Sequence, residues 1–263
     1  MITLLHNFLP ASVLISFGSI NIYWYGLFLV LAMSAGIITA IKIGRYYGIK
    51  QDIIIDASIW LIIGGLIGAR IYEVFLESSY YFSDPLAIFK IWEGGLAIHG
   101  GIIGGALALI IFSYRRKLNS LALTAAVVPA LALGQTIGRW GNWFNQELFG
   151  LPTNLPWGIP IAFINRPADY AKYIYFHPTF LYESLGCFLI FIVLLIMTQH
   201  RRRPAEIICT YLIAYAILRF SLEFIKIDNT PLMFGWRWPQ IMSLIILLTA
   251  IIWLIKIYKR KSL

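Results

Sequence analysis

The sequence predicts an all-α membrane protein, with seven transmembrane helices and a small extracytoplasmic cap. Three observations carry that prediction. The 263 residues are 60% hydrophobic and only 13% charged, with a mean hydropathy of +0.78, whereas soluble domains are roughly half apolar and about a quarter charged. The apolar residues run unbroken, not in the alternating ~10-residue segments of a β-barrel. The basic residues collect in alternate connections. At about 20 apolar residues per span plus a connection, the length fits roughly six to eight spans, so residues 1–263 are expected to form a single polytopic domain. Disorder, coiled coil, collagen and a disulfide scaffold are excluded.

Apolar runs bounded by charges or Pro/Gly clusters place the helices near 20–41, 54–76, 96–113, 121–138, 179–198, 205–224 and 240–257. Four basic clusters separate them: Lys42, Arg45 and Lys50; Arg115, Arg116 and Lys117; Arg201, Arg202 and Arg203; and Lys256, Lys259, Arg260 and Lys261. These hold thirteen of the 21 basic residues. The opposite connections carry only Lys90, Arg166, Lys172, Lys226 and Arg237. The positive-inside rule then puts the N-terminus outside and the C-terminus in the cytoplasm. Topology explains most of the net charge of +9, so nucleic acid is not an expected partner. No Lys or Arg precedes Lys42, so the first apolar run lacks the positive start of a signal peptide and is expected to stay in the mature chain.

Residues 140–178 form the longest non-helical stretch, rich in Pro, Asn and aromatics, and are expected to make an extracytoplasmic head between helices four and five. Residues 77–95, with Tyr80, Tyr81, Phe82, Phe89 and Trp92, read as an interfacial segment on the same side. Cys187 and Cys209 sit inside apolar runs, where a thiol behaves as a small hydrophobe. His6 and His200 read as solvated, and no metal-site spacing, serine elbow or phosphate-binding loop is present.

Charge at membrane depth is the informative exception, because an arginine there costs roughly 2.5–3.5 kcal/mol on insertion scales. Arg70, Arg139 and Arg219 fall within spans or at their edges. Tyr215, Arg219 and Glu223 share a helix face by i, i+4 spacing, compatible with either a structural ion pair or a site. Arg139 lies in Gly138-Arg139-Trp140-Gly141-Asn142-Trp143-Phe144-Asn145-Gln146-Glu147-Leu148-Phe149-Gly150, where glycines and polar groups crowd one point. His99 sits among the glycines of Gly94–Gly105. Those glycines read as helix packing, whereas the histidine can accept or deliver a proton near neutrality. His177-Pro178-Thr179-Phe180-Leu181-Tyr182-Glu183 opens helix five and reads as either a cap or a polar cluster.

In order along the chain, Asn21-Ile22-Tyr23-Trp24-Tyr25-Gly26, the segment around His99, the Gly138–Gly150 block, His177-Pro178 with Tyr182-Glu183, and Tyr215, Arg219 and Glu223 resemble the bacterial phosphatidylglycerol–prolipoprotein diacylglyceryl transferases. The resemblance spans nearly the whole chain, and the Gly-Arg-x-Gly-Asn-x-x-Asn-x-Glu-x-x-Gly block is its most specific part. It implies a seven-helix enzyme of the bacterial inner membrane that needs no cofactor. Such enzymes move the diacylglyceryl group of phosphatidylglycerol to the lipobox cysteine of a prolipoprotein signal peptide, leaving a thioether and glycerol phosphate. Carried over by residue, the catalytic positions fall on Tyr25, His99, Arg139 and Arg219. Asn142, Asn145, Glu147, Gly150, His177, Glu183, Tyr215 and Glu223 join Arg139 as substrate-binding positions. Three departures stand out. Thr124-Ala125-Ala126 replaces a segment that usually holds an Asp, Lys226 replaces a frequent arginine, and Pro239 replaces a small residue.

These residue types suit the chemistry. A leaving phosphate gathers negative charge, which guanidinium groups match bidentately. Glu223 is expected to hold Arg219, and His99 either takes the thiol proton or orients the lipid headgroup. The competing class is a membrane carrier or channel for an anionic solute, using the same arginines as ligands. Membrane lipids surround either one.

Overall fold

The computed structural model describes residues 2–18 and 20–259, so Arg260 and Lys261 of the last basic cluster lie outside the described residues. A short helix α1 (Ile2–Asn7) leads into a hairpin of β1 (Val13–Phe17) and β2 (Ile20–Tyr23). Then follow α2 (Trp24–Gly44), α3 (Gln51–Leu76), the short α4 (Ser78–Ser83), α5 (Ile98–Arg115) and α6 (Ser120–Phe144). The strand pair β3 (Ile159–Pro160) and β4 (Tyr175–Phe176) precedes α7 (Thr179–Gln199) and α8 (Pro204–Leu222). A last hairpin, β5 (Leu232–Met233) and β6 (Trp236–Arg237), runs into α9 (Trp238–Lys259). Each sheet among the described residues has two antiparallel strands. Seven helices, α2, α3 and α5 to α9, are long and apolar enough to cross a membrane.

Local chemistry sets several boundaries. The Asn119 side chain accepts the Ala122 N–H at 3.2 Å, satisfying a free donor at the start of α6. Pro204 opens α8, where its missing N–H costs nothing. Two expectations are corrected. Ile20–Tyr23 is strand rather than helix: Phe17 pairs with Ile20 and Val13 with Tyr23, and the helix begins at Trp24, whose N–H donates to Ser12 O at 3.0 Å. The fourth long helix does not stop at 138 but continues to Phe144, so Arg139 and Asn142 lie on helix and only the stretch after it is irregular.

The chain divides into two compact units, one of residues up to Thr39 and from Val127 on, the other Ala40–Ala126. In the first, Leu5, Trp143, Phe149, Ile159, Ile161, Phe176 and Phe180 form a buried core, with Trp143 and Phe180 stacked at 5.7 Å. His6 is not solvated as expected. It stacks on Tyr175 at 4.1 Å and its Nδ1 lies 2.8 Å from Gly158 O, tying the N-terminal helix to this core. Cys187 and Cys209 are both fully buried.

In the second unit α3 and α5 touch backbone to backbone. A Cβ on Gly100 would lie 2.2 Å from Gly68 O, and one on Gly104 would lie 2.2 Å from Gly64 O. Helices without a hydrophobic driving force between them gain from such close approach. Ala125 and Ala126 are fully buried.

The seam predicts a contrast between two glycine substitutions. Gly104→Ala must push the helices apart and should destabilise the protein by about 1–3 kcal/mol. Gly138→Ala, with no atom within 4 Å of the added carbon, should leave the unfolding temperature in detergent unchanged. Equal effects would argue against the seam.

Candidate active site

Glu183, on the second turn of α7, is only 1% exposed, and a buried carboxylate persists only where cations and donors replace its water. Its Oε1 accepts Arg139 Nη2 at 2.6 Å and the Tyr215 hydroxyl at 3.1 Å. Its Oε2 accepts Lys226 Nζ at 3.2 Å and lies 3.9 Å from Arg219 Nη1. Three cations from α6, α8 and the following loop thus converge on one carboxylate.

A second buried carboxylate, Glu223, takes Arg219 Nη2 at 3.1 Å and Arg237 Nε at 2.8 Å. The i, i+4 pairing of Arg219 with Glu223 is as the spacing predicted. Tyr215, on the same face, turns instead to Glu183. Arg237 also donates through Nε to Thr230 Oγ1 at 3.0 Å, through Nη2 to Asp228 O at 2.6 Å, and through Nη1 to Lys226 O. It therefore clamps the loop that carries Lys226. In the sequence both Lys226 and Arg237 looked like loop charges, and only the departure at 226 marked either position. Burial pulls the Lys226 ammonium below its ordinary range, against the opposing pull of Glu183.

From Arg139 the network continues outward along α6. Arg139 Nη1 donates to Asn142 Oδ1 at 3.3 Å, and Asn142 Nδ2 donates to Glu147 Oε1 at 2.7 Å. The turn that brings Glu147 back is left-handed at Gln146 and Leu148, φ 52° and 54°. Such residues cost of order 1–3 kcal/mol unless their surroundings hold them. Gln146 is held at both ends of its amide: its Nε2 donates to Pro10 O at 2.7 Å, and its Oε1 accepts Ala162 N at 2.6 Å. Glu147, Asn145 and Tyr25 line a cavity of about 590 Å³ with Ser12, Ile22 and Tyr23. The absence of a side chain at Gly141 lets Tyr25 pack against α6.

Direct ion pairs therefore join four cations, Arg139, Arg219, Lys226 and Arg237, to three carboxylates, Glu183, Glu223 and Asp228. One positive charge is left over, with Glu147 a further hydrogen bond away. Arg219 is the least engaged guanidinium and about one-fifth exposed, and its Nε has no partner among the described residues. An anion with two or three oxygens fits what the cluster lacks.

The remaining expected residues fall elsewhere. Gly150 pairs with Lys226 in an isolated antiparallel bridge, and a Cβ there would lie 2.7 Å from Ile225 O, so its close approach sets the Lys226 loop. His177 Nδ1 lies 3.3 Å from the Tyr182 hydroxyl, which accepts Trp157 Nε1–H at 2.7 Å. Burial holds His177 below the usual histidine range. His99 belongs to the other unit, near the start of α5, where its ring faces Tyr72 at 6.1 Å. Among the described residues no three His, Cys, Asp or Glu side chains are grouped to hold a metal ion.

Residues 12–256 match the family model described as prolipoprotein diacylglyceryl transferase. A phosphatidylglycerol–prolipoprotein diacylglyceryl transferase of Synechococcus elongatus is 42% identical over 259 residues, covering 96% of this chain and 89% of the relative. Proteins of the same name from Synechocystis sp. and Trichormus variabilis are each 40% identical. These alignments cover 95% and 96% of this chain, and 91% of each relative.

Because Glu183 holds the cluster together, Glu183→Gln should leave Arg139 and Lys226 facing a neutral amide and destabilise the protein by about 3–5 kcal/mol. Thermal unfolding in detergent measures this. Inorganic phosphate should raise the midpoint more in the variant than in the wild type. An unchanged midpoint would remove Glu183 from the centre of the network.

Proposed function

The chain belongs to the prolipoprotein diacylglyceryl transferase family, and we propose that the cluster around Glu183 holds the phosphate of phosphatidylglycerol while a prolipoprotein thiol displaces it. The protein is a multi-pass membrane transferase whose substrates are phosphatidylglycerol and a prolipoprotein. The observation that carries the assignment of the site is the half-free guanidinium of Arg219, in a cluster whose direct ion pairs join one more cation than carboxylates.

The reaction explains why charge of this sign is needed. The thiolate of the lipobox cysteine attacks the glyceryl carbon that bears the phosphate ester. The C–S bond forms, the C–O bond breaks, and glycerol phosphate leaves with the electron pair and a second negative charge. Preorganised cations favour that transition state over the singly charged diester. Arg219 and Arg139 are the phosphate ligands in this reading. Glu223 with Arg237, and Glu183 with Lys226, hold them in place. Tyr25, Asn145 and Glu147 present hydroxyl, amide and carboxylate groups suited to a glycerol headgroup in the adjoining cavity. His99 either takes the thiol proton or orients the headgroup. The reading further places the protein in the bacterial inner membrane as one polytopic domain, with the N-terminus and the head segment after Phe144 outside and the C-terminus in the cytoplasm. No nucleic acid takes part. The names of the relatives speak against an anion carrier.

Lysine keeps the charge of arginine but loses its fork. Arg219→Lys should therefore lower the rate of lipobox-peptide lipidation in detergent by about 10²–10³ while the protein still inserts. Arg201→Lys should be nearly silent. Catalysis in detergent, with no sealed compartment, is itself an outcome that no carrier delivers. Equal rates for both variants would remove Arg219 as a phosphate ligand.

Topology is tested separately. A cysteine introduced near Asn165 should react with an impermeant reagent added to intact cells, and one near Arg202 should not. The reverse pattern would overturn the orientation.

A further inference from the structure

Arg70 is the one intramembrane arginine that the charge cluster leaves unexplained. It is 7% exposed and has no carboxylate within ion-pair distance among the described residues. Its guanidinium is satisfied by neutral oxygens alone. Nε donates to Ile88 O at 2.8 Å, and Nη1 to Gly94 O and Gly95 O, both at 2.7 Å, and to the Tyr81 hydroxyl at 2.9 Å. Nη2 donates to Ala87 O. With every nitrogen engaged, Arg70 has no fork to offer a phosphate, unlike Arg219.

What it holds is the approach to His99. Gly94 and Gly95 have φ of +94° and +69°, a backbone that turns their carbonyls onto the guanidinium and that side-chain-bearing residues rarely adopt. A Cβ on Gly95 would lie 2.6 Å from Arg70 Nη1. Two residues later Ala97 N–H donates to Ala69 O at 3.2 Å. Directly after His99, Gly100 is pressed onto Gly68 O. Three successive residues of α3, Gly68, Ala69 and Arg70, thus grip the backbone on both sides of His99. Phe89 and Trp92 of the gripped segment, and Phe82 and Leu86 just before it, are largely exposed, a pattern suited to a membrane interface.

We propose that Arg70 is a positioning residue, which fixes the Ala87–Gly95 segment and through it the placement of the His99 imidazole for the transferase reaction. The proposal rests on the functional reading of His99 given above. Arginine is required because several carbonyls in different directions need a planar fork, which an ammonium does not supply.

The test uses the full-length protein in detergent, labelled with ¹³C at its histidine rings. There are four histidines, and the His99 signal is assigned by its loss in His99→Gln. Arg70→Lys should shift or broaden that signal and leave the His200 signal in place. It should lower kcat for lipobox-peptide lipidation by about 10²-fold, the effect of a misplacement near 1 Å, with KM within about twofold. Gly95→Ala, which disturbs the clasp from the other side, should reproduce this if Arg70→Lys fails to fold. An unmoved His99 signal in the folded variants, or wild-type kcat per folded molecule with only a lowered unfolding temperature, would reduce Arg70 to a structural brace and overturn the proposal. Wild-type lipidation by His99→Gln would instead retire the functional reading of His99, while a moved signal would still support the clasp.

Discussion

A carboxylate withdrawn from water costs several kcal/mol unless cations and donors stand in for the solvent. In this fold Glu183 collects Arg139, Lys226 and Tyr215 at hydrogen-bond distance, with Arg219 just beyond. Because these groups come from α6, α8 and the loop after α8, satisfying one side chain fixes three segments that are remote in sequence. Glu223 repeats the device on a smaller scale, joining Arg219 to Arg237 at the threshold of α9. In the proposed function, structure and site therefore share the same ion pairs, and the desolvation that folding must compensate also fixes the groups assigned to the phosphate.

The Ala40–Ala126 unit meets the same constraint by other means. There a buried guanidinium is surrounded by peptide carbonyls, and helices approach until only hydrogen fits between them. Dipoles replace counter-charges. The result is a cation with no carboxylate within ion-pair distance among the described residues, held by peptide carbonyls and one phenol.

The seven long helices were legible because a span must be apolar over about 20 residues. Their ends were less so. Ile20-Asn21-Ile22-Tyr23 is apolar enough to extend a helix, yet its β-branched residues pair with Val13–Phe17, a choice made by a partner strand and not by periodicity. The polar, glycine-containing run after 138 did not end α6, which continues through Gly141, where a side chain would collide with Tyr25, to Phe144. Arg139, Arg219 and Glu223 announced themselves by their depth in apolar sequence. Arg237 and Lys226 did not, since a charge in a connection is ordinarily solvated or topogenic. Arg70 was visible as an anomaly, but its partners were not, because main-chain carbonyls leave no signature in a sequence. The convergence on Glu183 is a tertiary fact that one chain read without distances does not contain.

The burial of Cys187 and Cys209 has a consequence for an enzyme of this kind. A catalyst that alkylates sulfhydryl groups with a lipid is exposed to becoming its own acceptor. Neither of its two thiols has accessible surface, and Cys187 Sγ is turned toward Gln135 Oε1 at 3.8 Å. Steric exclusion thus keeps both of its own thiols from the lipid, and the thiol that is alkylated has to arrive on another chain.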